Sequence, residues 1–313
     1  MSATTENLSR SAGLSREADQ REAPAGAEGE GDRVGRRSSP AGPLTLSLGA
    51  SRLNLSRLAA VAKKALIPLL LILLWWLATA RNPDGLIPTP GAVAVALWDL
   101  AFGGINDDAF SQMLLTDLVA SGSRVYGAFL LAAAIALPLG MLIGRLRIVR
   151  ELLEPILQLL RPVPVTAWLP LSMIIFGLGP RSAFFLVALG AFYPILVNTT
   201  FAVRSVEPRL FEAAQMLGVS PARMFLKVVL PASLPGMFTG LRLGLGFAWV
   251  VIVVGEMTGV QTGLGAMIMD ARQLSRTEIV ISGMVVIGLA GFLSDLAVQA
   301  LGRRLLAWSP LHG

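Results

Sequence analysis

RLFEAAQMLGVSPARMFLKVVLP, residues 209–231, is a helix-forming stretch with charged side chains that lies between two long apolar runs. With the preceding proline it makes up what we term the 208–231 segment. Four of its apolar residues recur at the spacing i, i+3, i+4 and i+7: Leu210, Ala213, Ala214 and Leu217. This spacing places them on one face of a helix. The segment therefore predicts an amphipathic helix beside the apolar runs.

Proline, glycine and serine residues predict where the helices of the segment begin and end. Pro208 suits a first helical turn, and Gly218 suits the position just past a helix end, where we expect a left-handed backbone. Ser220 and Pro221 fit the N-cap and first position of a second short helix. We expect Pro231 to stop that helix. The prediction is two short helices joined at Gly218.

The segment also follows a spacing pattern. Glu-Ala-Ala is followed after three residues by Gly, and nine residues later by an apolar residue, one further residue and Leu-Pro. The matching positions are Glu212, Ala213, Ala214, Gly218, Val228, Leu230 and Pro231. This resembles the cytoplasmic signature of the membrane subunits of bacterial ABC importers, with Val for Ile as its one departure. A helical hairpin lying on the membrane is the alternative, and it explains the amphipathicity but not the spacing.

The composition of the chain is that of a membrane protein. Of its 313 residues 54% are hydrophobic and 15% are charged, against about 25% charged in soluble domains. There is no cysteine, and the one histidine is His312, so disulfide and thiolate chemistry are excluded. The net charge of +6 comes from basic residues that flank apolar runs. We therefore expect no nucleic-acid partner and a lipid bilayer instead.

Residues 1–57 differ in composition from the rest of the chain. They are rich in Ser, Gly, Ala, Glu and Arg and have no aromatic residue. Such a segment buries too little apolar surface to offset the entropy of ordering. We predict a disordered cytoplasmic tail there, and no secretory signal peptide, because no apolar core follows the first basic residues.

Six apolar runs follow the tail, each close to the roughly 20 residues that a helix needs to cross a bilayer. They cover residues 58–80, 119–144, 156–178, 182–203, 234–258 and 279–301. The fold class predicted is all-α, a multi-pass membrane protein with about six transmembrane helices in a domain spanning residues 58–308.

Lys and Arg in the short loops predict the orientation, because cytoplasmic loops carry an excess of them. The basic residues that follow the second, fourth and sixth runs are Arg145, Arg147, Arg150, Arg204, Arg209, Arg223, Lys227, Arg303 and Arg304. The first loop instead carries five aspartates against the single Arg81. Both termini and the 208–231 segment are therefore predicted to lie in the cytoplasm.

Catalytic chemistry has no candidate residues in the sequence. A phosphate-binding loop for ATP needs a lysine that follows a glycine, and neither Lys63, Lys64 nor Lys227 does. No histidine or cysteine cluster exists for a metal, and no serine–histidine pair for nucleophilic catalysis. We expect a translocation subunit that is not an enzyme and holds no cofactor. Energy for uphill transport must come from another subunit or an ion.

Two ionisable residues lie in the fifth apolar run. Arg242 and Glu256 are fourteen residues apart, about 21 Å along a helix, so they cannot pair, although they lie within about 40° of one face. Ionisable groups at membrane depth usually face a cavity or a partner. We weigh two hypotheses: both line a translocation path, with Arg242 attracting an anion, or both extend from helix ends to the membrane interface.

Prolines interrupt the third run at 162, 164 and 170. Irregular backbone inside a membrane is tolerated where protein or a water-filled cavity surrounds it, so Trp168 and Pro170 are candidate pathway residues, with kinking alone as the alternative. Tyr193 and Asn198 in the fourth run are weaker candidates. The small residues expected at a helix–helix seam are Gly240, Gly244 and Gly246.

Three further stretches resemble the permease branch of nitrate, sulfonate, taurine and bicarbonate importers. They are RPVPVTAWLPLSMIIFGLG at 161–179, LGAFYPILVNT at 189–199 and LPGMFTGLRLGLGFAWVVIVVGEM at 234–257. The resemblance implies a type I importer fold and a complex of two permeases, favoured as a homodimer, two ATPase subunits that hold ATP and Mg, and a substrate-binding protein. The 208–231 segment would be the coupling helix that docks into the ATPase, in a bacterial cytoplasmic membrane. The branch also serves some uncharged vitamin-like solutes.

Two other functions remain open at this point. An ion-coupled secondary transporter needs intramembrane carboxylates, for which Glu256 and Asp295 are the candidates, and usually an internal repeat, of which we see none. A membrane-embedded scaffold without transport is the other.

Overall fold

The computed structural model describes residues 52–81, 85–106 and 108–306, with side chains from Leu66 onward. Within these ranges every regular element is a helix, which confirms the predicted all-α class. The helices are α1 Arg52–Ala80, α2 Pro90–Phe102, α3 Leu114–Arg145, α4 Arg147–Leu160, α5 Leu169–Phe176, α6 Pro180–Arg204, α7 Pro208–Met216, α8 Pro221–Met224, α9 Leu230–Glu256, α10 Leu264–Gln273 and α11 Thr277–Leu305. Of the tail predicted at 1–57, residues 1–51 lie outside the described residues, and residues 52–57 are helical and begin α1.

Four helical stretches in the described part are long and apolar enough to cross a membrane: α3, α6, the continuous stretch Pro221–Glu256, and α11. The third predicted run is not straight, because α4 and the stretch Val165–Phe176 meet at 90° and count together as a fifth crossing at most. The first run lies in α1, whose described apolar part, Leu66–Ala80, is shorter than a full span. The sixth crossing therefore stays a prediction.

Helices α3, α6 and α9 pack closely through glycines. A Cβ added to Gly140 on α3 would lie 2.8 Å from Thr199 of α6, and one added to Gly244 on α9 would lie 2.7 Å from the Ile195 side chain. Backbones can approach this closely only where no side chain intervenes. The predicted seam is confirmed at Gly240 and Gly244, but it is wrong at Gly246, whose Cβ position faces open space.

The direction of each helix follows from these contacts. Gly127 lies beside Phe184 and Gly144 beside Val203, so α3 and α6 run parallel. On α9, Gly236 lies against Ala202 and Gly255 against Ala183, so α9 runs antiparallel to α6. The C-terminal ends of α3 and α6 and the start of α9 are therefore at one end of the bundle.

The 208–231 segment forms two helices, as predicted. Helix α7 begins at Pro208, Gly218 has the left-handed φ of +69°, and Ser220 precedes α8 with extended backbone. The expected stop at Pro231 is wrong. The chain passes through a π-helical turn, Phe225–Val229, directly into α9. A proline ring normally clashes with the carbonyl four residues earlier, and the wider turn gives it room.

Candidate functional site

A cavity of about 510 Å³ opens between the end of α4, the turn before α5, and helices α6 and α9. We term it the central cavity. Three of the predicted pathway residues, Trp168, Tyr193 and Asn198, line it together. Pro170, Arg242 and Glu256 are not among its lining residues. The structure thus places residues that are 25 to 30 positions apart in the sequence on one wall.

The central cavity exists because prolines break the third run. After α4 the chain passes through Pro162 and Pro164, whose missing N–H groups cannot continue the helix. A single 3₁₀ turn, Val165–Trp168, then leads into α5, and this turn and α5 together lie at about 90° to α4. The predicted interruption is confirmed. Pro170 lies in the first turn of α5, where its missing N–H is tolerated.

A second cavity of about 220 Å³ adjoins the first; we term it the basic cavity. The two share four lining residues: Leu157, Arg161, Tyr193 and Val197. The lining of the basic cavity extends along α6 as far as Arg204. From Leu189 in the central cavity to Arg204 is fifteen residues, about 22 Å of helix. The two cavities therefore form one path along α6, from mid-helix to its basic end.

The polar groups along this path are few. Tyr193 donates its hydroxyl to the Leu157 carbonyl oxygen at 3.4 Å, and the Asn198 amide donates to the Pro194 oxygen at 2.8 Å. Arg204 lies 3.6 Å from Glu154. Among the ion pairs of the described residues, none includes Arg161. This exposed arginine lies at the junction of the two cavities, and Glu154 also lines the basic cavity.

Glu256 is completely buried, away from the path. Its carboxylate accepts hydrogen bonds from the Ser121 hydroxyl at 2.7 Å, from the Arg124 guanidinium at 2.6 Å and from the Gly265 backbone at 3.0 Å. Arg124 also donates to the Thr262 carbonyl oxygen at 2.7 Å. These contacts join α3, the end of α9 and the start of α10.

The loop between α9 and α10 is fitted around this carboxylate. The backbone N–H of Gly263 donates to Asp117 at 2.8 Å, and Gly263 has a φ of +136°. A Cβ there would lie 2.6 Å from the Glu256 carboxylate. We term Asp117, Ser121, Arg124 and Glu256 the Glu256 cluster. It fixes one end of the bundle, opposite the basic end of α6.

Arg242 is paired in the structure. Its guanidinium makes two hydrogen bonds to Asp295 of α11, at 2.7 and 2.8 Å, with both side chains partly exposed. Gly240 and Gly244 face α6, and Arg242 lies between them in sequence, so it points to the opposite side of α9. Whether Arg242 and Glu256 contact a transported solute stays a prediction.

The 208–231 segment is anchored by Phe211 and by its second half, where Met224 and Val229 are buried, while most of α7 is exposed. Phe211 packs against Val203, Val206 and Val229, and the Arg145 guanidinium lies 5.0 Å from the centre of its ring. Of the predicted apolar face only Ala214 is buried, and Met216 and Leu217 are 88% and 82% exposed. Glu212 is also exposed. The segment thus presents apolar and charged side chains to a partner.

Sequence reasoning did not single out Asp117, Ser121 or Arg124. A usable signal was present, because Arg124 is an arginine within the second apolar run, and such a residue needs a partner. The partner could not be named, since 132 residues separate it from Glu256.

The family of binding-protein-dependent transport system inner membrane components matches residues 136–307. The matched stretch contains helix α6, which lines both cavities, and the 208–231 segment. The chain belongs to this family of ABC importer permeases. Its relatives include an aliphatic sulfonates transport permease, SsuC, of Bacillus subtilis, 37% identical over 79% of this chain and 87% of the relative. The taurine transport permease TauC of Escherichia coli is 37% identical over 78% and 87%, and the nitrate import permease NrtB of Leptolyngbya laminosa is 34% identical over 69% and 78%.

A solved structure shares the fold. The inward-facing MetNI methionine ABC transporter contains a chain that superposes with a TM-score of 0.54 at 20% identity, covering 62% of this permease and 95% of that chain. The predicted type I importer fold is confirmed. The resemblance to the sulfonate, taurine and nitrate branch is confirmed as well.

Proposed function

We propose that this permease carries a small anion across the bacterial cytoplasmic membrane, driven by ATP hydrolysis on separate ATPase subunits. Relatives named for sulfonates, taurine and nitrate support an anionic solute. The path along α6 supports it from the structure, because Arg161 and Arg204 line it against the single carboxylate of Glu154. An ion-coupled secondary transporter is set aside by the family match. The two carboxylates considered for such a mechanism, Glu256 and Asp295, each form a salt bridge with an arginine.

The observation that carries the coupling role is the exposed surface of the 208–231 segment. Two short helices would dock into a groove on the ATPase, with Ala213 and Ala214 allowing close approach and Glu212 supplying a charge. Met216 and Leu217 would be buried on docking, which accounts for their exposure in the isolated chain. Leu230 and Pro231 would connect the segment to α9, so that movement of the ATPases reaches the bundle.

The complex we propose contains two copies of this permease, two ATPase subunits and an extracytoplasmic substrate-binding protein. ATP and Mg would lie on the ATPases, and this chain would hold no cofactor. Both termini and the 208–231 segment would face the cytoplasm, in keeping with the arginines at that end of the bundle.

Glu212→Ala in the assembled complex tests this function. The variant should assemble and bind the substrate-binding protein, because Glu212 is exposed, while ATP-driven uptake and substrate-stimulated ATP hydrolysis fall together. Glu151→Ala is the matched control, since Glu151 is 60% exposed on α4 outside the segment, and it should transport normally. Normal uptake in a fully assembled Glu212→Ala complex would argue that the segment does not couple the two subunits.

A further inference from the structure

The lining of the central cavity is unusual for a path that carries a hydrated ion. Of its fifteen lining residues only Arg161 is charged, and four are aromatic: Trp168, Phe192, Tyr193 and Phe247. Its volume of about 510 Å³ lies in the range of small-molecule sites, about 300–1,000 Å³. The cavity therefore suits a solute with an apolar body.

Arg161 supplies the polar end of such a site. It lines both cavities and has no carboxylate partner among the described ion pairs. Arg161 is exposed, so its guanidinium is free to make planar, two-point hydrogen bonds to an oxyanion. An anionic group placed between the two cavities would meet this charge while the rest of the molecule remained in the central cavity.

We propose that the central cavity binds a small organic anion, with its acidic group at Arg161 and its aliphatic or aromatic body against Trp168, Phe192 and Phe247. This inference rests on the proposed function and narrows its substrate class. A bare inorganic anion such as nitrate would give up its hydration for one arginine and gain nothing from the apolar walls. An organic anion gains from both.

The test uses the absence of cysteine from the chain. Val197 lines both cavities and is 38% exposed. Val197→Cys is assembled with its ATPases in lipid nanodiscs, without the substrate-binding protein, and its modification by N-ethylmaleimide is timed on the permease by mass spectrometry. Saturating 1-hexanesulfonate should slow the reaction at least about fivefold, because only the unoccupied site reacts. Sodium nitrate at the same concentration should not.

Two variants locate the effect. Arg161→Gln should raise the half-protecting concentration of 1-hexanesulfonate by about tenfold, as loss of one charge-assisted hydrogen bond predicts, and leave any protection by neutral 1-hexanol unchanged. Ala109→Cys is the control, because Ala109 is exposed but lines neither cavity. The sulfonate should not protect it.

Three results would overturn the proposal. Equal protection by 1-hexanol, insensitive to Arg161→Gln, would make the cavity an apolar groove for a lipid chain. Protection by nitrate equal to that by the sulfonate would remove the requirement for an organic body. An unreactive Val197→Cys in the assembled complex would mean that the second permease copy fills the space. ATP-driven uptake measured on the same complexes separates the two proposals. Uptake that depends on Glu212 without sulfonate protection would refute only the cavity site.

Discussion

At the scale of single residues, the Glu256 cluster should contribute most to stability. Glu256 is fully buried and Arg124 is 13% exposed, and removing one partner of a buried ion pair costs about 3–5 kcal/mol. Glu256→Gln should therefore lower the free energy of unfolding strongly, read as the melting temperature of the purified complex. Glu151→Gln, in a pair whose side chains are 86% and 60% exposed, should change it by about 0–1 kcal/mol.

The double variant Arg124→Gln with Glu256→Gln distinguishes an ion pair from separate effects. Because neither charge is then left unpaired, the double variant should lose less stability than the two single variants lose in sum. Additive losses would indicate that Glu256 acts through Ser121 and Gly265 alone.

Gly218 allows a backbone effect to be separated from a steric one. Its φ is +69°, and a Cβ there would meet nothing within 4 Å, so only the left-handed conformation restricts the residue. Valine should cost about 1–2 kcal/mol locally and tilt α7, whereas asparagine adopts this conformation more readily. We predict that Gly218→Val lowers uptake and stimulated ATP hydrolysis while the complex still assembles, and that Gly218→Asn keeps most of both. Equal loss in the two variants would point to a direct contact of the glycine with the ATPase.

At the scale of helices, the glycines of α9 provide a matched pair of sites. A Cβ on Gly240 would lie 2.8 Å from Asn198 and 3.3 Å from the Ile195 carbonyl oxygen, whereas one on Gly246 meets no atom. Gly240→Ala should destabilise the bundle by about 1–3 kcal/mol through overpacking, and Gly246→Ala should be neutral. Thermal unfolding of the two variants in the same lipid provides the comparison. Equal melting temperatures would mean that α6 and α9 are further apart than the structure has them.

The sequence predicted those helices whose signal is local. Apolar runs predicted α3, α6, α9 and α11, because a helix that crosses a bilayer must be about 20 residues long and apolar. Gly218 predicted a left-handed backbone because few other residues adopt that conformation at low energy. The stop predicted at Pro231 was wrong, since a proline ends a helix unless the turn before it widens, and the π-helical turn Phe225–Val229 has no local sequence signal.

The site was predictable only in part, for a related reason. Trp168 and Asn198 were found from local irregularity, but their shared cavity depends on how α6 lies against the broken run. Pairings between distant helices, such as Arg242 with Asp295 and Arg124 with Glu256, leave no local pattern. They follow only once the glycine contacts fix which helix faces meet.

At the scale of the whole molecule, the tail at 1–57 should be dispensable for transport. It lacks the apolar residues that would anchor it to the bundle. Deletion of residues 1–50 should leave assembly and ATP-driven uptake nearly unchanged, measured on equal amounts of purified complex. Loss of assembly would refute this, and altered uptake with normal assembly would make the tail regulatory.

The orientation of the bundle in the membrane follows from which of its ends carries the basic residues. The contacts place the ends of α3 and α6 with the start of α9, and Gly302 beside Phe238 adds the end of α11. Arg145, Arg204 and Lys227 therefore share one end, which the excess of basic residues assigns to the cytoplasm.

Single cysteines at two exposed positions test this assignment. Asp107, one of the five aspartates of the first loop, lies outside the described residues, so the outer site is Ala109, which is exposed nearby. Ala109→Cys in intact cells should react with a membrane-impermeant maleimide, whereas Ser220→Cys should react only after permeabilisation. Val285→Cys, on the apolar α11, should react slowly in both conditions because lipid excludes the reagent. Labelling of positions 109 and 220 from the same side would require an even number of crossings between them, whereas α3, the bent pair and α6 make three. It would contradict the assignment of the 208–231 segment to the cytoplasm.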